Sequence, residues 1–201
     1  MLIRMTSVDG SQTSPSVHQP ERSFGWRNYF VPPDFDPRVD GGFEGERATL
    51  VGYLRDRRLT LELKCSGLDA AAMARRSVEP SDLSLLGLIR HLTDVEQYWF
   101  RHAMARQEVA WPYRTESDPD VSFHGAVADP EVVEQAWAAW RAEVAFADRL
   151  VDEAPGLDLI GRNGSQPISL REVLVIMIDE YARHCGHADF LRERIDGRVG
   201  L

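Results

Sequence analysis

Ser169-Leu-Arg-Glu172, an apolar run, and then Glu180-Tyr-Ala-Arg-His184-Cys-Gly-His187-Ala-Asp-Phe-Leu191 form the stretch that decides the fold. Ser169 and Glu172 have the S-x-x-E spacing of a capping box, so a helix starts there, and no proline interrupts it before Gly197. At roughly 100° per residue, Val173, Ile176, Glu180, His184, His187 and Leu191 share one stripe. A carboxylate and imidazoles therefore stand where the pattern expects core. Burying such groups unpaired costs on the order of 1–3 kcal/mol each, more for a charge, and a metal ion would satisfy several at once.

Upstream, three more amphipathic segments read as helices. The first runs from about Gly45 to Leu63, with Leu50, Tyr53, Leu54, Leu61 and Leu63 apolar and Gly67 ending it. The second takes Ser81 as its cap and carries Leu85, Leu88, Leu92, Val95 and Trp99, with His91 interrupting the apolar side. The third opens at Asp129-Pro130 as cap and first-turn proline and runs to about Asp152. Gln107 to Ala128 is a long connection, and Pro155 to Pro167 a loop with a Gly161-Arg-Asn-Gly164 turn. With no alternating strand and no repeat, the pattern predicts an all-α four-helix bundle. The final helix, about 40 Å long, places Glu180 and His184 near its middle, facing His91.

Ahead of the bundle, residues 1–23 read as a flexible tail. Phe24-Gly-Trp-Arg-Asn-Tyr-Phe-Val-Pro-Pro-Asp-Phe35 reads as an extended aromatic arm that packs onto the domain of residues 24–201 or forms a homodimer contact. A chain of 201 residues with 43% apolar content suits one domain with a full core. The net charge of −9 and the short cluster Arg55-Asp-Arg57-Arg58 argue against nucleic acid or anionic membrane as partner. Cys65 and Cys185, far apart, fit a reducing cytoplasm, and no run approaches membrane-spanning length.

The i,i+4 pair Glu180 and His184, with His91 from another helix, makes a three-ligand set that leaves a position open. Imidazole and carboxylate suit divalent ions, with zinc first and nickel, iron or manganese as alternatives. Taken singly, Glu180 and His184 also describe a surface ion pair, and His91 a core histidine. Their joint placement on two buried faces favours metal. His187 has three readings: a fourth ligand, a residue that orients a ligand, or a catalytic base. His102 and His124 read as surface residues, Arg55 to Arg58 as a solvated face, Trp99, Trp137 and Trp140 as core. Cys185 points about 100° away from His184, which disfavours it as a nucleophile.

On Lys64-Cys-Ser-Gly-Leu68, Ser84 to Phe100 and Glu180 to Gly197, the sequence resembles the DinB-like family of metal-binding four-helix proteins, over about residues 44 to 197. The resemblance implies His91, Glu180 and His184 as metal ligands. Many relatives carry histidine at the position of Glu180, whereas the mycothiol-dependent isomerase relatives carry glutamate. His187 stands where many have glutamine. The family includes enzymes that transfer or isomerise with a low-molecular-weight thiol such as mycothiol or bacillithiol. Two functions follow as expectations: a metal-dependent enzyme that activates such a thiol toward a small electrophile, with His187 shuttling a proton, or a non-enzymatic metal-binding stress or interaction protein.

Overall fold

A computed structural model describes residues 30–200 except Asp40, Glu116 and Pro119. The tail expected over residues 1–23 lies outside the described residues, as do residues 24–29 of the aromatic arm. Of that arm, Phe30 is buried under three cations, with Lys64 at 4.5 Å, Arg192 at 5.4 Å and Arg198 at 3.9 Å from its ring centre.

After a short 3-10 turn at Pro33–Phe35, the helices are α1 (Glu46–Cys65), α2 (Ala70–Ala74), α3 (Leu85–Glu96), α4 (Val121–His124), α5 (Pro130–Glu153) and α6 (Leu170–Asp196). α3 continues as π-helix over Gln97–Met104. The four long helices form the expected bundle: α1 packs on α6, α3 on both α5 and α6. Leu54, Leu61, Leu88, Leu92, Phe100, Leu174 and Met177 make up much of the buried interior. Among the described residues, no helix is long and apolar enough to cross a membrane.

The capping box of α6 forms as its spacing predicts, and Gly197 closes the helix at φ +78. Two expectations are corrected. The cap of α3 is Ser84, whose side chain accepts from the Gly87 N–H, while Ser81 accepts from Leu83 N–H one turn earlier. The loop before α6 contains a hairpin of β1 (Ile160–Asn163) and β2 (Gln166–Ser169), with Ile160 paired to Ser169 and Asn163 to Gln166. Its turn is Gly164-Ser165, Gly164 at φ +59, whereas Gly161, read as a turn residue, lies in the strand. A Cβ on Gly161 would stand 2.5 Å from the Ala103 carbonyl oxygen, so glycine lets the hairpin dock on the π-helix.

The bundle interior also holds an ionic network. Arg58 Nε and Nη2 donate to Glu96 at 2.7 Å each, and Arg58 Nη1 donates to Asp148 at 2.8 Å. Tyr181 donates to Glu96, and Trp140 Nε1 to the Tyr181 oxygen, both at 2.8 Å. Arg58 and Glu96 are buried, which corrects the reading of Arg55 to Arg58 as a solvated face. A buried guanidinium is tolerable because the bidentate carboxylate answers its charge. Burial works against that charge, but Glu96 more than offsets it and holds Arg58 above its ordinary range.

Candidate metal centre

Helix geometry brings Glu180 and His184 one turn apart on α6, and the α3–α6 contact sets His91 opposite them. Glu180 Oε1 lies 3.1 Å from His91 Nε2 and 3.1 Å from His184 Nε2. One donor atom from each residue falls within 4.8 Å of the other two. Three donors about 2.1 Å from a tetrahedral ion stand roughly 3.4 Å apart, so the two Glu180–imidazole separations of 3.1 Å need only open slightly to hold one. The two imidazoles hold the Glu180 carboxyl well below the usual carboxylate range, His184 first and His91 second, against the opposing effect of burial. The group is therefore an ionised carboxylate between two nitrogen donors, a donor set that suits a divalent cation.

His187 lies behind His184 rather than beside Glu180. Its Nδ1 is 3.3 Å from His184 Nδ1. Because the Glu180 carboxylate accepts from His184 Nε2–H, Nδ1 of a neutral His184 accepts from His187, and a metal taken at Nε2 would reverse this contact, with His184 Nδ1–H donating to His187. Burial, His184 and Arg183 together lower the pKa of His187, which favours its neutral form.

The connection between α3 and α5 supports the other histidine, a role barely visible in the residue pattern. The Phe123 ring stacks on His91 at 5.5 Å between centres. A Cβ on Gly87 would stand 2.8 Å from the Phe123 ring, so a missing side chain one turn before His91 makes room for the stack. Asp94 accepts from Tyr113 N–H at 3.0 Å, Arg114 N–H at 3.1 Å and Ser122 Oγ at 2.8 Å. Arg90 donates to Ser122 O at 2.9 Å and lies 4.0 Å from the Tyr113 ring centre. Burial raises the Asp94 carboxyl, with the bonds from Ser122, Tyr113 and Arg114 opposing. Next to His91 this folding leaves a pocket of about 230 Å³ bordered by Asp94, Tyr98, Trp99 and Arg114. A one-turn spacing of Gly87 and His91 was the available signal, and it is weak.

The remaining candidates stand apart from the triad. His124 is exposed and pairs with Asp118 at 3.0 Å, as a surface histidine does. His102 is half-buried and stacked on Trp111 at 4.6 Å, which corrects its reading as a surface residue. Trp140 is core, with Trp137 and Trp99 packed against it at the margin. Cys65 and Cys185 are free and buried, and burial pushes the Cys185 thiol up to about 12 and Cys65 higher still. Neither offers a ready thiolate.

A helical bundle with a two-histidine, one-carboxylate cluster across α3 and α6 is the architecture of a DinB-like protein, with the capacity for a divalent metal ion. A comparison with protein-family models matches residues 49–197 to the family described as Mycothiol-S-transferase. The match spans most of the chain, and the protein belongs to that family. No curated protein and no solved structure matched it. Family and triad together support a metal-dependent enzyme of this general kind.

Proposed function

We propose that the protein joins a low-molecular-weight thiol of the mycothiol type to a small electrophile, or isomerises that electrophile through the thiol, at a zinc site held by His91, Glu180 and His184. The observation that carries this is the convergence of three donors on one point beside a pocket, in a chain of the mycothiol-S-transferase family. A divalent ion there, with Glu180 reducing the local charge to about +1, supplies a Lewis acid that lowers the pKa of an entering thiol. Glu180 holds both imidazoles toward the point of binding. Phe123 fixes the plane of His91.

His187, the catalytic candidate of the sequence, enters as a positioning residue. With a metal on His184 Nε2, His187 Nδ1 would accept from His184 Nδ1–H, which leaves the His187 proton on Nε2, so a role as base would require that contact to break. The two free, buried cysteines support work in a reducing cytoplasm. A homodimer, as expected from the sequence, would have exposed Val175 and Phe190 on α6 to bury.

Metal analysis of His91→Ala, Glu180→Ala and His184→Ala, with His124→Ala as control, tests the ligand set. Each of the three is expected to lose most of its metal, because a three-ligand site has no spare donor. His187→Gln should keep its metal and slow thiol consumption. Full metal in all three alanine variants would overturn the assignment. A cobalt-substituted protein without a sulfur-to-metal charge-transfer band on adding mycothiol, and without thiol loss toward a panel of electrophiles, would favour the non-enzymatic metal-binding reading.

A further inference from the structure

Helices α1 and α5 face each other across a cleft of about 430 Å³ to which none of the three triad residues contributes. Leu54 of α1 and Trp140 and Val144 of α5 form apolar walls, with the buried Phe100 and Leu174 behind them. A concavity of this size, with an apolar floor and a charged rim of Arg55, Glu62, Arg141, Asp148 and Asp152, has the make-up of a small-molecule site.

The charged group set among those walls is Arg58, which borders the cleft although only 6% exposed. Glu96 holds the Nε and Nη2 side of the guanidinium at 2.7 Å per bond. Of the five N–H groups, these bonds and the one from Nη1 to Asp148 use three, leaving one on each Nη. The two acids differ in how firmly they sit. Glu96 is fully buried and also accepts from Tyr181, so it stays. Asp148 is 57% exposed and reaches Arg58 from the solvent side, and water can take over its hydration if it swings away.

We propose that this cleft binds a small amphipathic carboxylate, with its apolar body between Leu54, Trp140 and Val144 and its carboxylate on the Nη edge of Arg58 in place of Asp148. A carboxylate matches that edge because two parallel N–H groups meet its two oxygens. The exchange also conserves charge: one anion leaves the guanidinium as another arrives. An amine would be repelled by Arg58 and meet acceptors only in the rim acids Glu62, Asp148 and Asp152, which water already solvates, and an alcohol would gain the apolar contact without the paired bonds.

Isothermal titration of the full-length protein with octanoate, octanol and octylamine, each below its aggregation concentration, tests the proposal. Octanoate is expected to bind one per chain, about tenfold tighter than octanol, with octylamine weakest. Asp148→Asn should tighten octanoate binding by about threefold, since the competing carboxylate is gone. Val144→Trp, which fills the cleft, should abolish binding and leave the metal content unchanged. No saturable octanoate binding, equal affinity for octanol, or binding that survives Val144→Trp overturns the proposal. So does a dimer in sedimentation that Val144→Trp dissociates, because the cleft would then be a contact between copies of the chain. If Val144→Trp fails to fold in a thermal melt, the octanoate-to-octanol ratio and the direction of the Asp148→Asn effect decide.

Discussion

Replacing Glu96 by glutamine tests the account of the bundle interior most directly. The Glu96 side chain is 0% and the Arg58 side chain 7% exposed, and Glu96 accepts two bonds from Arg58 and one from Tyr181. Glutamine keeps the shape, removes the charge, and turns an NH2 group toward donors. Arg58 then keeps one amide oxygen as acceptor and, as counter-charge, Asp148, itself largely in water. Breaking one side of a buried pair costs about 3–5 kcal/mol. In a chain of this length each kcal/mol moves Tm by about 2–4 °C, so a fall of about 6–20 °C is expected. Thermal melts followed by circular dichroism, with urea titration for the free energy, would measure it. The double variant Arg58→Met with Glu96→Leu should be more stable than the single one. It leaves no buried charge, and its main penalty is the Tyr181 hydroxyl without an acceptor, about 1–3 kcal/mol. A loss below about 1 kcal/mol in Glu96→Gln, or a double variant less stable than the single, would refute the reasoning.

Gly87→Ala should destabilise the protein by about 1–3 kcal/mol and weaken metal binding, because the new methyl meets the Phe123 ring at 2.8 Å and pushes it off His91; melts and metal titration read both, and no change in either would sink the idea. Metal supplied at about a thousand times its Kd adds roughly 4 kcal/mol, so chelation should lower Tm by about 8–16 °C, and an unchanged Tm after verified removal counts against the triad as the binding site. Proton NMR of His124 should show a pKa above the usual histidine value, owed first to its hydrogen bond with Asp118, and Asp118→Asn should bring it down. Because the folded pKa is raised, the pair's contribution is present below the unfolded histidine pKa and fades as pH rises through the folded one.

The parts of this protein legible in its sequence are those written within one helix. The ends of α6 carry their own signals in Ser169, Glu172 and Gly197, and its stripe fixes Glu180 and His184 on one face whatever else the chain does. His91 is legible for the same reason, as a polar break in an apolar row. The hairpin before α6 escaped because four-residue strands are too short for alternation to register, and Gly161 looks like a turn residue until the backbone it must approach is known. The role of His187 rests on which nitrogen of His184 it meets, and spacing along a helix does not carry that information.

What remained hidden depends on partners far along the chain. Asp94 and Glu96 stand two positions apart on α3, about 200° around the helix, and so they serve opposite sides of it. Asp94 holds the connection that carries Phe123 to His91, while Glu96 reaches inward to an arginine 38 residues away. In a local window the two acids resemble the solvated face of an amphipathic helix, although both are buried. The same holds for Arg58, whose neighbours Arg55 and Asp56 suggest a charged surface. A short window treats each charge as a cost to be kept in water. The fold instead answers it with a counter-charge from another helix, and only the assembled bundle brings the two together.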